Sequence, residues 1–94
     1  MTTARPRIIY FGGEQKMVDR VRSALSRNFE VTGVTGVIHL DDALNAIRRI
    51  KPDYVLVDPH LRDLNHQQLH RELKADQELT AIQVLVISED EVDL

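Results

Sequence analysis

Four short runs rich in apolar, β-branched and aromatic residues punctuate this chain: Ile8-Ile9-Tyr10-Phe11, Phe29 to Thr35, Tyr54-Val55-Leu56-Val57 and Ile82 to Ile87. The first and third are apolar throughout, as strands buried on both faces are. Between the runs the apolar spacing changes from continuous to three and four. Met17, Val18, Val21, Ala24 and Leu25 mark one helical face, and Leu40, Ala43, Leu44, Ile47 and Ile50 a second. Leu69 and Leu73 carry a third inward. Strands and helices that alternate in this way leave few folds open. A parallel sheet with helices on both faces satisfies them.

Local signals set the boundaries. Gly12-Gly13 stops the first strand, and a helix follows from Glu14, with Glu14 in its first turn and Arg27 in its last to suit the helix dipole. Asn28 and Gly36 bound the second strand. Asp41 and Asp42 open the second helix, and Lys51-Pro52 closes it, because proline disfavours helical dihedrals in the residue before it. Asp58 to Asp63 is a polar loop, and the third helix runs from Leu64 or Asn65 to Ala75. Right-handed crossovers then predict a three-layer α/β/α domain with three helices and a four-stranded parallel sheet in the order 2-1-3-4. Ligands of such sheets gather at the carboxyl ends of the strands. Those ends carry Gly12, Gly13, Asp58, Pro59, His60 and Ser88.

Composition removes whole classes of function. A chain of 94 residues makes one domain, and 43% hydrophobic with 29% charged residues is an ordinary globular balance. There is no cysteine, hence no disulfide, thiolate metal site or thiol nucleophile. No apolar run approaches a membrane span, and Met1 to Arg7 holds no signal-peptide apolar stretch, so the expected location is the cytoplasm. The net charge is −3, and residues 89–93 supply four of the fifteen acids. The remaining eleven acids nearly balance twelve Lys and Arg, which leaves no basic stripe for nucleic acid. The acidic end reads as a solvated tail.

Lys51-Pro52-Asp53-Tyr54-Val55-Leu56-Val57-Asp58-Pro59-His60-Leu61 resembles the centre of a two-component response-regulator receiver domain. In that family a strand of this kind ends in the phospho-accepting aspartate. Leu40-Asp41-Asp42-Ala43-Leu44 is similar to the family's second helix, and Ile82 to Ser88 to its fourth strand with a terminal hydroxyl. The likeness runs from residue 7 to about residue 90. It implies a single receiver-like domain over 1–94, with an N-terminal tail at 1–6 and an acidic tail at 89–94. It also implies Asp58 as phosphoacceptor, Ser88 as the hydroxyl that reads the phosphoryl group, and the His60 carbonyl as a Mg²⁺ ligand.

Three departures from the pattern shape the functional expectation. The acidic pair that holds Mg²⁺ at the end of the first strand is replaced by Gly12-Gly13. Arg62 and His66 stand where the loop of a receiver has Pro and Gly. The sequence also stops six residues beyond Ser88, short of a fourth helix, a fifth strand with the active-site lysine and a fifth helix. Phosphoryl transfer spreads negative charge over three oxygens and depends on positioned cations. The expectation is therefore a degenerate, truncated receiver-like domain, not an enzyme, acting through protein contact in bacterial signalling. Its expected partners are a second copy of itself and a signalling protein such as a histidine kinase or downstream regulator. No cofactor is expected, and Mg²⁺ only if Asp58 is a working phosphoacceptor, which is the main alternative. Self-association is expected along the edge formed by Ile82, Val84, Leu85, Val86 and Ile87, which offers open backbone groups and lacks a proline or inward charge.

Two smaller patterns carry readings of their own. Gly12-Gly13 between strand and helix is either a phosphate nest that takes a small anion or nucleotide, or a tight turn needing positive φ; the second is the plainer. His66 and His70 lie one helical turn apart, and His60 or Asp63 would be the third ligand of a metal cluster. Surface histidines are the plainer reading there, and no metal site is expected beyond Asp58 and His60 as weak candidates.

Overall fold

The computed structural model describes residues 5–36, 38–61 and 64–86. Seven elements follow in order: β1 (Arg7–Gly12), α1 (Gln15–Leu25), β2 (Glu30–Thr35), α2 (Leu40–Ile50), β3 (Tyr54–Val57), α3 (His66–Ala75) and β4 (Gln83–Val86). All strand pairs are parallel and the sheet order is β2-β1-β3-β4, as the alternation predicts. Ile9 lies opposite Thr32 on one side and Val55 on the other, and Leu56 lies opposite Leu85. Among the described residues no helix is long and apolar enough to cross a membrane.

The period-two alternation of the central strands divides the core. Ile9, Phe11, Val55 and Val57 pack with Ala43, Leu44 and Ile47 of α2 and with Leu69 and Leu73 of α3. Ile8, Tyr10 and Leu56 pack on the other side with Met17, Val18 and Val21 of α1. Leu69 and Leu73 are fully buried, and each contributes about 2 kcal/mol by leaving water. On the α1 side, Gly33 has a specific task. A Cβ there would overlap Cγ1 of Val18, so the missing side chain lets α1 settle onto β2.

The junction from α2 to β3 is a set of local devices. Lys51 caps α2 in the left-handed region (φ 54°, ψ 63°), and its N–H donates to the Ile47 carbonyl at 2.8 Å. Pro52 is buried behind it. Asp53 then ties two strands together: its carboxylate accepts the Arg7 N–H, its own N–H donates to the Arg7 carbonyl, and its carbonyl accepts from Gln83.

Three expectations about α1 need correction. Glu14 is the N-cap and not a first-turn residue; the first turn carries no acid. The helix ends at Leu25, with Arg22 as the basic residue of its last turn, because residues 26–28 turn the chain so that Phe29 meets Tyr54 edge-on at 6.2 Å. Arg27 lies in that turn. Ala24 is exposed, since the buried stripe is centred on Val21 and Leu25 and Ala24 sits at its margin. At the N-terminus Arg5 donates to the Ser26 carbonyl and the Pro6 carbonyl accepts from Glu30, so both already belong to the folded body.

Candidate functional site

β1 and β3 lie side by side, so their carboxyl ends bring residues 12–14 next to Asp58. Asp58 extends β3 by one hydrogen bond, donating its N–H to the Phe11 carbonyl at 3.0 Å. Its half-buried side chain then turns back on its own loop: Oδ1 accepts the His60 N–H at 2.9 Å, and the Asp58 carbonyl accepts from Leu61 at 3.2 Å. This is the local turn that aspartate favours, and it leaves Oδ2 directed at Gly13. A Cβ on Gly13 would lie 3.9 Å from Oδ2. Asp58, Gly13, Glu14, Met17 and His60 line a depression of about 330 Å³.

The two glycines differ in what they permit. A side chain on Gly13 would meet only ordinary contacts, 3.7 Å to Leu61 Cδ2 besides Asp58. A Cβ on Gly12 would lie 2.6 Å from Cε2 of Tyr10, a fully buried ring that would have to shift within a packed core. Neither glycine takes positive φ; among the described glycines only Gly36 does, at 97°. The turn reading of Gly12-Gly13 is corrected accordingly. What keeps position 12 free of a side chain is the Tyr10 ring.

Glu14 is the residue that sequence reasoning misplaced. As an N-cap with extended dihedrals (φ −132°, ψ 141°) and no capping hydrogen bond, it borders the depression with Asp58. Its position directly after the strand end was the available signal. Ser88 lies outside the described residues, as do Ile87, Arg62, Asp63 and the acidic tail at 89–94.

The structure separates the histidines. His60 belongs to the Asp58 depression, whereas His66 and His70 line a second one of about 210 Å³ with Gln67, Val84 and Val86, where α3 overhangs β4. The single-chain cluster of His60, His66 and His70 is thereby overturned, since the loop after β3 holds His60 at the mouth of α1. Among the described residues no three metal-type side chains come together. Along β4, Ile82 is buried just before the strand and Val84 is half-buried. Leu85 is 47% and Val86 37% exposed, and among the described residues β4 pairs only with β3.

The fold is the one that receiver domains share, a parallel α/β sheet in the order β2-β1-β3-β4, and comparison with solved structures shows that likeness. The chain is similar to a sensor protein from Polaromonas sp. JS666, at 23% identity and a TM-score of 0.76 over 96% of this chain and 74% of that one. It is similar to the N-terminal domain of a response regulator receiver protein from Methanoculleus marisnigri JR1, at 19% identity and a TM-score of 0.71 over 94% and 74%. The phosphorylated cyanobacterial phytochrome response regulator RcpA matches at 23% identity and a TM-score of 0.71 over 96% and 72%. No family model and no curated protein matches the chain. The likeness is one of fold: a receiver-like, flavodoxin-type sheet of four strands with three helices.

Proposed function

We propose that this chain is a receiver-like signalling domain of a two-component system, working in the cytoplasm through protein–protein contact without phosphoryl transfer. The observation that carries this reading is the strand end facing Asp58. A side chain at position 12 would collide with the Tyr10 ring, and position 13, where a carboxylate would reach Asp58 Oδ2, holds none. Mg²⁺ takes oxygen ligands in near-octahedral geometry and binds phosphoryl groups through one or two carboxylates. Here, among the described residues, Glu14 is the one acid beside Asp58 in the depression, and Asp58 Oδ1 is engaged by the His60 N–H. That donor set falls short of the acidic pair plus phosphoacceptor of a working receiver. An anion or nucleotide at Gly12-Gly13 is disfavoured for a related reason, since Glu14 and Asp58 make the mouth of α1 acidic.

The partners we propose are a second copy of the chain and a signalling protein of the histidine-kinase or regulator kind. The second copy is supported by the outer edge of β4, where Leu85 and Val86 are exposed and, among the described residues, the backbone groups pair with no further strand. A two-fold pairing of two such edges satisfies both rows at once.

The rival reading, a phosphoacceptor, has one observation in its favour: Glu14 does border the site. Intact-mass measurement after incubation with a small phosphodonor and Mg²⁺ decides between them. The expected result is an unchanged mass. A Mg²⁺-dependent gain of about 80 Da, one phosphoryl group, that disappears in Asp58→Asn overturns the proposal.

A further inference from the structure

We infer that His66 and His70 form half of a divalent-cation site of the zinc class, completed by the same two residues of a second copy. The inference rests on the β4 pairing proposed above. Histidines four apart on a helix share one face, where two imidazoles can reach one metal ion. Here both line a single depression, and its other wall is Val84 and Val86 of β4. His66 is half-buried and His70 exposed, so neither is committed to the core.

Two imidazoles do not make a structural zinc site, which wants four ligands in a tetrahedron. The described part of one chain offers no third, because His60 is held at the Asp58 depression and His39 caps the start of α2. A two-fold axis perpendicular to the sheet beside Leu85 supplies the missing pair. It lays two β4 strands antiparallel, about 5 Å apart, and keeps both α3 helices on the same face of the joined sheet. The two depressions then flank the axis, with four imidazoles around it. Neutral imidazole is a favoured ligand for zinc and its neighbours in the transition series.

The test is light scattering behind size exclusion, run on the wild-type chain in EDTA and in Zn²⁺, with Co²⁺ absorbance reporting coordination. Zinc at 100 times its own dissociation constant should tighten the dimer about 100-fold by mass action. Co²⁺ should give an intense tetrahedral visible band at one ion per two chains. The variant His66→Gln/His70→Gln should lose both effects and keep its helical circular dichroism, whereas His39→Gln and His60→Gln should keep both effects. A dimer in EDTA that zinc does not tighten overturns the metal site and leaves the β4 pairing standing. A monomer in both conditions overturns the site together with the pairing. Zinc bound at one ion per monomer without a gain in mass overturns the shared site.

Discussion

The Asp53 carboxylate accepts the backbone N–H of Arg7 at 2.9 Å across 46 residues of sequence. The same two residues meet again where Asp53 N–H donates to the Arg7 carbonyl, so the amino end of β1 is clamped to the residue before β3. Asp53 therefore serves the fold and lies at the opposite end of the sheet from Asp58. Removing its carboxylate in Asp53→Ala leaves one backbone donor to water and should cost about 1 kcal/mol. Urea unfolding should show a lower midpoint at unchanged slope, since the surface exposed on unfolding stays the same.

Much of this architecture is legible in the sequence because its two central strands, β1 and β3, are buried on both sides. Apolar runs such as Tyr54 to Val57 leave few alternatives to a covered parallel sheet, and Lys51-Pro52 ends α2 by a steric rule that needs no tertiary context. The site is less legible. Glu14 borders Asp58 because an N-cap takes extended dihedrals, and the cap was one residue later than charge placement suggested. The reason for Gly12 is a ring two residues upstream on the same strand, which follows from strand geometry and not from turn propensity. Histidine spacing showed that His66 and His70 share a face, but a loop without periodicity decides where His60 goes.

Position 12 and position 13 should respond oppositely to an added carboxylate. Gly13→Asp meets only ordinary contacts and should fold with a change of about 1 kcal/mol or less, chiefly from repulsion by Asp58. Gly12→Asp drives Cβ into the Tyr10 ring and should cost roughly 2–3 kcal/mol, the usual range for overpacking a core. Thermal melting of both variants, with and without Mg²⁺, checks the ranking. Added stability in Mg²⁺ should be confined to Gly13→Asp, the variant that brings a further acid to Asp58 Oδ2.

Gly33 should resist even the smallest side chain. Gly33→Ala overlaps Val18 Cγ1 and should destabilise by roughly 1–3 kcal/mol despite the usual advantage of alanine over glycine in a strand. Val18→Ala alone opens a gap and also destabilises. If the close approach of α1 to β2 is the cause, the double variant should be less damaged than the sum of the singles. A coupling of about 1 kcal/mol in a double-mutant cycle is the expected reading.

The caps of the two helices on the other face should shift stability in opposite directions. Asn65 accepts the N–H groups of Gln67 and Gln68 at 2.9 and 3.1 Å, so Asn65→Ala should cost about 1 kcal/mol. Lys51 holds φ at 54°, where a Cβ is unfavourable, so Lys51→Gly should gain up to about 1 kcal/mol. Chemical denaturation of the two single variants measures both signs.

Self-association should depend on β4 and not on the other sheet edge. Leu85 is 47% exposed and lies on the α1 side of the sheet, opposite Leu56, so Leu85→Lys removes apolar surface from the edge at little cost to the fold. A lysine there adds positive charge at the two-fold, where each copy would meet its own image, and like charges facing across paired strands are unfavourable. The sheet's second edge is β2, whose last residue Thr35 is exposed. Thr35→Lys is therefore the matched control, with the same added charge at the far side of the molecule. Light scattering over a range of concentrations should give a dimer for wild type and Thr35→Lys, and a mass near 10.8 kDa for Leu85→Lys. Loss of the dimer in Thr35→Lys with its retention in Leu85→Lys would place the contact on β2 instead.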